Sequence, residues 1–140
     1  MKYPIFKCIL LAALVAGGGM AMGSEPYYVL KVNVANILIG KGKLYVGVYN
    51  NSKSFDNDNY CAGKVVNVKG GTASVAFKLP RGTYAVKMYQ DTNDDNKMNN
   101  IFGVPLEPYG VSGNANGFPS FGGACFTLFK NKQIRVNLKN

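Results

Sequence analysis

Apolar and polar residues alternate along most of this chain, whereas the three-to-four-residue spacing of an amphipathic helix is almost absent. In the segment 72–79, for example, Val75, Phe77 and Leu79 fall on one side, and small or polar residues fall on the other. Successive side chains of a strand point to opposite faces, so this pattern predicts strands with one buried face.

The alternating segments recur at intervals typical of two packed antiparallel sheets. We predict strands over residues 27–38, 43–50, 64–68, 72–79, 83–90, 125–130 and 133–139. Pro80-Arg81-Gly82 predicts a turn, and Lys130 to Lys132 predict a hairpin between the last two strands. The predicted fold is all-β, an antiparallel β-sandwich of immunoglobulin-like or transthyretin-like type with about seven strands.

The first 23 residues have the composition of a leader for export. Lys2 and Lys7 give a positive start, the apolar run 9–16 follows, and Ala21 and Gly23 match a small-x-small cleavage pattern. The alternative is a retained membrane anchor, but the run is shorter than the roughly 20 residues that a span needs. We predict a signal peptide at 1–23, a single domain at 24–140 and a periplasmic or secreted location, with no transmembrane segment after the leader is removed.

Charge and composition narrow the function classes. The chain has 140 residues, with Lys+Arg 16, Asp+Glu 7 and no His, and its charge of +9 falls to +7 when Lys2 and Lys7 leave with the leader. Without His, a Ser-His-Asp triad and a His-bearing zinc site are excluded. Most lysines alternate with apolar residues, as on the solvated face of a strand, so we expect no nucleic-acid partner.

Removal of the leader takes Cys8 and leaves Cys61 and Cys125. An even pair of cysteines in an exported protein favours a disulfide, and we expect Cys61 to pair with Cys125. Two small buried thiols are the alternative.

The segment after the fifth predicted strand has the oxygen spacing of a calcium loop. Acidic and amide side chains alternate from Asp91 to Asp95, like the ligands at positions 1, 3 and 5 of such loops. Asn96 stands where Gly is usual, and Asn tolerates the positive φ of that position. Position 12 is Phe102 rather than Glu, so Glu107 is the next carboxylate available. The candidate calcium ligands are Asp91, Asn93, Asp95, the carbonyl of Lys97, Asn99 and Glu107.

The alternative to an ion site is a polar turn held by hydrogen bonds from Asx side chains to the backbone. Because few of the candidate ligands are charged, we expect weak calcium binding, on the order of 10⁻⁴ to 10⁻³ M.

Residues 103–123 form a long irregular segment rich in Gly and Pro. Loops of this length in compact domains are usually functional or disordered. The aromatic residues favour packing within the loop, and binding of a ligand is the alternative. The candidate loop surface consists of Phe102, Pro105, Tyr109, Ser112, Phe118 and Phe121.

Residues 82–128 resemble a bacterial exported family, domain-of-unknown-function family 2141. Members of this family have a strand ending in a D-x-N-x-[ND]-G-x-[LM]-D loop, then a G-[IV]-P-x-E-x-[YF]-G-x-S segment and a P-S-F segment. The matching positions are Asp91, Asn93, Asp95, Met98, Gly103, Val104, Pro105, Glu107, Tyr109, Gly110, Ser112, Pro119, Ser120 and Phe121. The resemblance implies an exported β-sandwich and no particular reaction.

The sequence departs from the pattern of this family in and around the loop. Gln90 stands where a His is usual, Asn96 replaces the loop Gly, and Asn99 replaces an Asp. Gly122 and Gly123 replace an acidic pair after the P-S-F segment. The loss of acidic residues at 99 and 122–123 weakens the calcium prediction specifically.

Three function classes are compatible with these features. We favour a binding or structural module that presents its long loop to an unknown protein or a cell-surface ligand, with calcium as the candidate cofactor. A carboxylate-dependent hydrolase that pairs Glu107 with an Asp of the loop is the enzymatic alternative. It is less favoured because nothing in the sequence places a carboxylate in a deep apolar site. A periplasmic inhibitor or chaperone-like partner that acts through a strand edge is the third class.

We expect the exported protein to begin at Ser24, because Ala21 and Gly23 satisfy the cleavage pattern before it. Mass spectrometry of the protein recovered from the cell exterior or periplasm measures this directly. Cleavage after Ala21 would still support export, whereas an intact segment from Met1 to Gly23 would exclude the signal peptide.

Overall fold

The computed structural model describes residues 25–98, 100–101, 104–113 and 118–139. The predicted signal peptide at 1–23 lies outside these residues. The strands are β1 (Tyr27–Ala35), β2 (Lys43–Tyr49), β3 (Ala62–Asn67), β4 (Ala73–Pro80), β5 (Gly82–Asp91), β6 (Asn100–Ile101), β7 (Val104–Pro105), β8 (Tyr109–Val111), β9 (Phe126–Leu128) and β10 (Lys132–Asn137). Two short helices are α1 (Ser52–Asp56) and α2 (Phe121–Ala124).

Two sheets enclose the core. The small sheet has the strand order β10-β1-β4, and the large sheet has the order β3-β2-β5-β8. Strand β9 pairs with the first residues of β5, and β6 pairs with β7 as a separate ribbon. The prediction of an all-β sandwich is therefore confirmed.

The alternating apolar residues fill the space between the sheets, as their spacing predicts. Leu30 and Val32 of β1 and Phe77 of β4 face the interior from the small sheet, and each is at most 1% exposed. Val86 of β5 and Leu44 of β2 meet them from the large sheet and are fully buried. Burial of these side chains is the main favourable term that holds the two sheets together.

The last two strands differ from the prediction. The prediction of a hairpin at Lys130–Lys132 is wrong, because β9 joins the large sheet and β10 joins the small one. In addition, β10 runs parallel to β1, with Leu30 opposite Lys132 and Ala35 opposite Asn137. Alternation marks which side chains are buried but not which neighbouring strand buries them, so it could not distinguish these arrangements.

The predicted disulfide between Cys61 and Cys125 is also wrong. Cys61 is buried and belongs to the core between the sheets, whereas Cys125 is an exposed free thiol directly after α2. A disulfide needs two sulfur atoms whose Cβ vectors converge, and one side chain inside the core and one in solvent do not meet that requirement.

The free thiol of Cys125 gives a direct test of this arrangement. In native protein treated with iodoacetamide without reductant, we expect Cys125 to be alkylated, because its side chain is exposed. Peptide mass mapping identifies the modified residue. We also expect Cys125→Ser to change the free energy of unfolding by no more than about 0.5 kcal/mol, as for other surface substitutions. A Cys125 that reacts only after reduction would contradict the structure.

Candidate functional site

Three carboxylates meet where β5 ends. One carboxylate oxygen from each of Asp91, Asp95 and Glu107 lies within 4.8 Å of the others. Asp91 is the last residue of β5, and Glu107 lies between β7 and β8. Asp91 is fully buried and Glu107 is 5% exposed, whereas Asp95 is exposed.

The loop after β5 wraps its own amides around the Asp91 carboxylate. Asp91 accepts hydrogen bonds from the backbone N–H of Asp95 at 3.2 Å and of Asn96 at 2.8 Å. The Glu107 carboxylate accepts from the backbone N–H of Thr92 at 3.1 Å. Asp94 and Asn96 have φ values of 59° and 63°, so the turn is tight, and the positive φ predicted for Asn96 is confirmed.

The structure brings together three of the six predicted calcium ligands. Asn93 is exposed, and its side-chain amide donates to Asp95 at 3.2 Å. Lys97 is exposed, and its backbone N–H donates to Asp95 at 2.9 Å. Asn99 lies outside the described residues. Asp94 is exposed and does not belong to the convergent trio.

This arrangement suits a hard cation. Like charges a few ångströms apart repel each other strongly where burial excludes water, and a divalent cation between them reverses the sign of that interaction. A carboxylate has about four lone-pair positions, so the two amide hydrogen bonds leave acceptor capacity on Asp91. The convergent side chains offer only oxygen, which is the ligand type of calcium and magnesium.

Two residues that the sequence analysis did not assign hold the base of this loop. Gln90 is fully buried, and its side-chain amide donates to the carbonyls of Leu38 and Lys41, each at 2.7 Å. Its side-chain oxygen accepts from the Leu38 N–H at 2.9 Å. Gly42 has φ +62°, and an added Cβ there would lie 1.6 Å from the Asp91 carbonyl oxygen. The β1–β2 connection is thus fastened directly to the end of β5.

A groove of about 1120 Å³ lies beside the loop, on the outer face of the large sheet. Tyr45 of β2 and Tyr89 of β5 stack there, with ring centroids 4.9 Å apart and planes within 7°. The Tyr45 hydroxyl donates to the side-chain oxygen of Asn96 at 2.7 Å, so the groove and the loop share a hydrogen bond. The other end of the groove is lined by Tyr49, Phe55 and Tyr60.

Lys87 lies on the floor of the groove between aromatic rings. Its ammonium is 4.7 Å from the ring centre of Tyr49 and 4.4 Å from that of Phe55, and it forms an ion pair with Asp58. Burial, and then the charges of Asp58 and Tyr60, raise the pKa of the Tyr49 hydroxyl far above its usual value. This end of the groove therefore carries a neutral tyrosine and a neutralised lysine at physiological pH.

The matching family model has the description "uncharacterized protein conserved in bacteria" (DUF2141) and covers residues 32–137. The chain belongs to this family. No curated protein and no solved structure gives a significant match to it. The DUF2141 match includes the carboxylate trio and the groove, and membership assigns no activity to either. Among the described residues, no helix is long and apolar enough to cross a membrane.

The predicted loop surface of this DUF2141 chain is divided between the groove and the framework. Pro105 and Tyr109 are half-buried, and both line the groove together with Phe118, which is 88% exposed. Phe121 is half-buried and packs edge-on against Phe55, with ring centroids 6.2 Å apart. Phe102 lies outside the described residues.

Ser112 is not a surface residue, which corrects its assignment to the loop surface. It is 2% exposed, its hydroxyl donates to the Ala124 carbonyl at 2.8 Å, and it accepts from the Val86 N–H at 2.8 Å. Ser112 therefore joins β5 to the segment that carries α2.

We expect Gln90→Leu to lower the free energy of unfolding by about 1–3 kcal/mol, because backbone groups of Leu38 and Lys41 lose their partners. Urea unfolding measures the loss. The matched control is Gln133→Leu on β10, where the glutamine is exposed and we expect a change within about 0.5 kcal/mol. Equal effects at the two positions would contradict the role of Gln90 as an anchor of the loop.

Proposed function

We propose that this protein is an exported bacterial binding module whose loop from Asp91 to Glu107 holds a calcium ion. The observation that carries the proposal is the convergence of Asp91, Asp95 and Glu107 within 4.8 Å, with two of the three carboxylates buried. The leader-like composition of residues 1–23 supports export.

Calcium is a better fit than magnesium. Calcium accepts six to eight oxygen ligands in flexible geometry, whereas magnesium demands a near-ideal octahedron and gives up its water reluctantly. A loop with an exposed Asp95 and ligand-bearing residues 16 positions apart in sequence supplies flexible rather than ideal geometry. With three carboxylates and an open side, we expect affinity on the order of 10⁻⁴ to 10⁻³ M, which is the range of extracellular modules.

A hydrolase is supported less well by the same residues. A general acid or nucleophile must reach a substrate bond, usually within hydrogen-bond distance. Asp91 is fully buried and its carboxylate binds amides of its own loop, and the Glu107 carboxylate binds the Thr92 amide. Carboxylates in such positions are better suited to holding an ion than to attacking a ligand in the groove.

We expect millimolar Ca²⁺ to raise the melting temperature by several degrees, since a ligand at ten times its Kd stabilises by about 1.4 kcal/mol. Mg²⁺ at the same concentration should do less, and EDTA should reverse the shift. Asp91→Asn should abolish the shift because it removes a buried ligand charge.

The control is Asp94→Asn, which changes the same chemical groups in the same turn. Asp94 is exposed, lies outside the trio and has φ 59°, a conformation that Asn also tolerates, so its shift should be retained. An unchanged melt in 10 mM Ca²⁺, or equal losses in the two variants, would exclude the ion site and leave a hydrogen-bonded polar turn.

A further inference from the structure

We propose that the groove on the outer face of the large sheet binds a short neutral oligosaccharide, laid along β2 and β5. This inference names the ligand class of the binding module proposed above and rests on that proposal. It does not need the loop to be occupied by an ion.

Aromatic faces are the first observation behind this choice. Tyr60, Tyr89 and Tyr109 line the groove half-buried, and Phe118 stands at its rim almost fully exposed. The face of an aromatic ring carries partial negative charge, which attracts the C–H groups on the flat side of a sugar ring. The hydroxyl of Tyr109 can also donate and accept hydrogen bonds with sugar hydroxyls.

The rings are held in place before any ligand arrives. Tyr45 is 8% exposed and stacks beside Tyr89, its partner across the β2–β5 pair, with nearly parallel planes. Tyr60 lies so close to β3 that a Cβ on Gly63 would be 2.9 Å from its ring, so a larger residue at position 63 would displace the ring. Such support lowers the entropy cost of binding, since the side chains need not be ordered by the ligand.

Sheet topology argues against an extended peptide as the ligand. The floor of the groove is formed by β2 and β5, and each of them pairs with a strand on both sides. Their backbone groups are therefore used in the sheet ladders. A peptide that adds a strand needs an unpaired edge, which the floor does not offer. A ligand on this floor must be recognised by side chains. The outermost strand β3 lines one wall of the groove, so the tetrapeptide in the test below is the control for strand addition at that edge.

Charge argues for a neutral ligand. The charged residues that line the groove are Asp56, Asp58, Lys64, Lys87 and Lys97, which nearly balance in a protein whose mature charge is +7. Lys87, the cation on the floor, is already paired with Asp58 and flanked by two rings. An anionic polymer would meet stronger attraction elsewhere on this basic protein than in the groove.

The dimensions fit more than a single sugar. Tyr45 and Tyr49 mark the two ends of the floor on β2, and four residues of strand span about 13 Å. The volume of about 1120 Å³ lies just above the range of roughly 300–1,000 Å³ for small-ligand sites.

Titration calorimetry of the mature protein with cellotetraose, maltotetraose and chitotetraose tests the inference. The comparison ligands are tetragalacturonic acid and a neutral apolar tetrapeptide. We expect saturable binding of at least one of the three neutral sugars and weaker or no binding of both comparison ligands. Because the chain has no Trp, tyrosine fluorescence reports the same event independently. No saturable binding of any neutral sugar, or preferential binding of the anion or the peptide, would overturn the inference.

Two matched variants locate the site. Phe118→Ala removes an 88% exposed ring at the groove, and we expect the sugar affinity to fall by about two- to tenfold. Phe129→Ala removes a 52% exposed ring outside the groove lining, and the affinity should be unchanged. Both variants should melt like the parent protein because the rings are exposed. Equal losses of affinity would contradict a site in the groove.

Titrations in 10 mM Ca²⁺ and in EDTA separate this inference from the ion proposal. A calcium-dependent melting shift without sugar binding would overturn the ligand class and leave the ion site standing. Sugar binding without a calcium-dependent melting shift would support the sugar site in the groove and exclude the calcium site in the loop.

Discussion

The register of β5 against β2 fixes the core, the carboxylate site and the groove at once. Tyr84, Val86 and Met88 of β5 point into the core, and the intervening side chains of Lys87 and Tyr89 point into the groove. A slip of one residue would exchange these two faces and would bury the charge of Lys87. Burial of the apolar core therefore stabilises this pairing of β5 with β2. The pairing in turn places Asp91 at the end of β5.

The carboxylate site concentrates unfavourable local features on this rigid frame. Asp94 and Asn96 adopt positive φ although neither is glycine, and the acidic residues Asp91 and Glu107 are buried. Features of this kind persist only where the surrounding structure determines them, and they are typical of binding sites. Here the support comes from Gln90, which joins the end of β5 to the β1–β2 connection through three hydrogen bonds.

The sequence predicted what depends on local spacing. Alternation located the core and seven of the ten strands, but not β6, β7 and β8, which lie in or next to the segment expected to be irregular. The predicted loop ligands Asp91 and Asp95 do lie close together. Sheet partners could not be predicted in this way, since the pairing of β10 with β1 joins residues about 100 positions apart. The predicted Cys61–Cys125 disulfide was wrong for a related reason. An even number of cysteines says nothing about where their side chains point or whether they are buried.

The groove was missed although the sequence contains a signal for it. In β2 the outward positions hold Tyr45 and Tyr49 beside Lys43, so this face carries two large aromatic residues where a solvated sheet would have mainly polar ones. Large aromatic residues on the second face of a strand require a cover or a ligand. That criterion selects β2 but not β5, whose outward face holds Lys87 beside Tyr89, just as the outward faces of β1 and β4 hold Lys31 and Lys78.

A short chain of contacts connects the loop to the groove, and through it the proposed ion would affect the proposed binding surface. The Asn96 N–H donates to Asp91, and the side chain of Asn96 accepts from the hydroxyl of Tyr45, which stacks on Tyr89. An ion that orders Asp91 would thereby restrict the ring on which a ligand rests. Coupling of this kind is reciprocal, so a ligand bound at Tyr89 would raise the affinity for the ion by the same factor by which the ion raises the affinity for the ligand. Under the calcium proposal, weak binding would be sufficient for a supporting role, because the ion would only reduce motion in an already folded site.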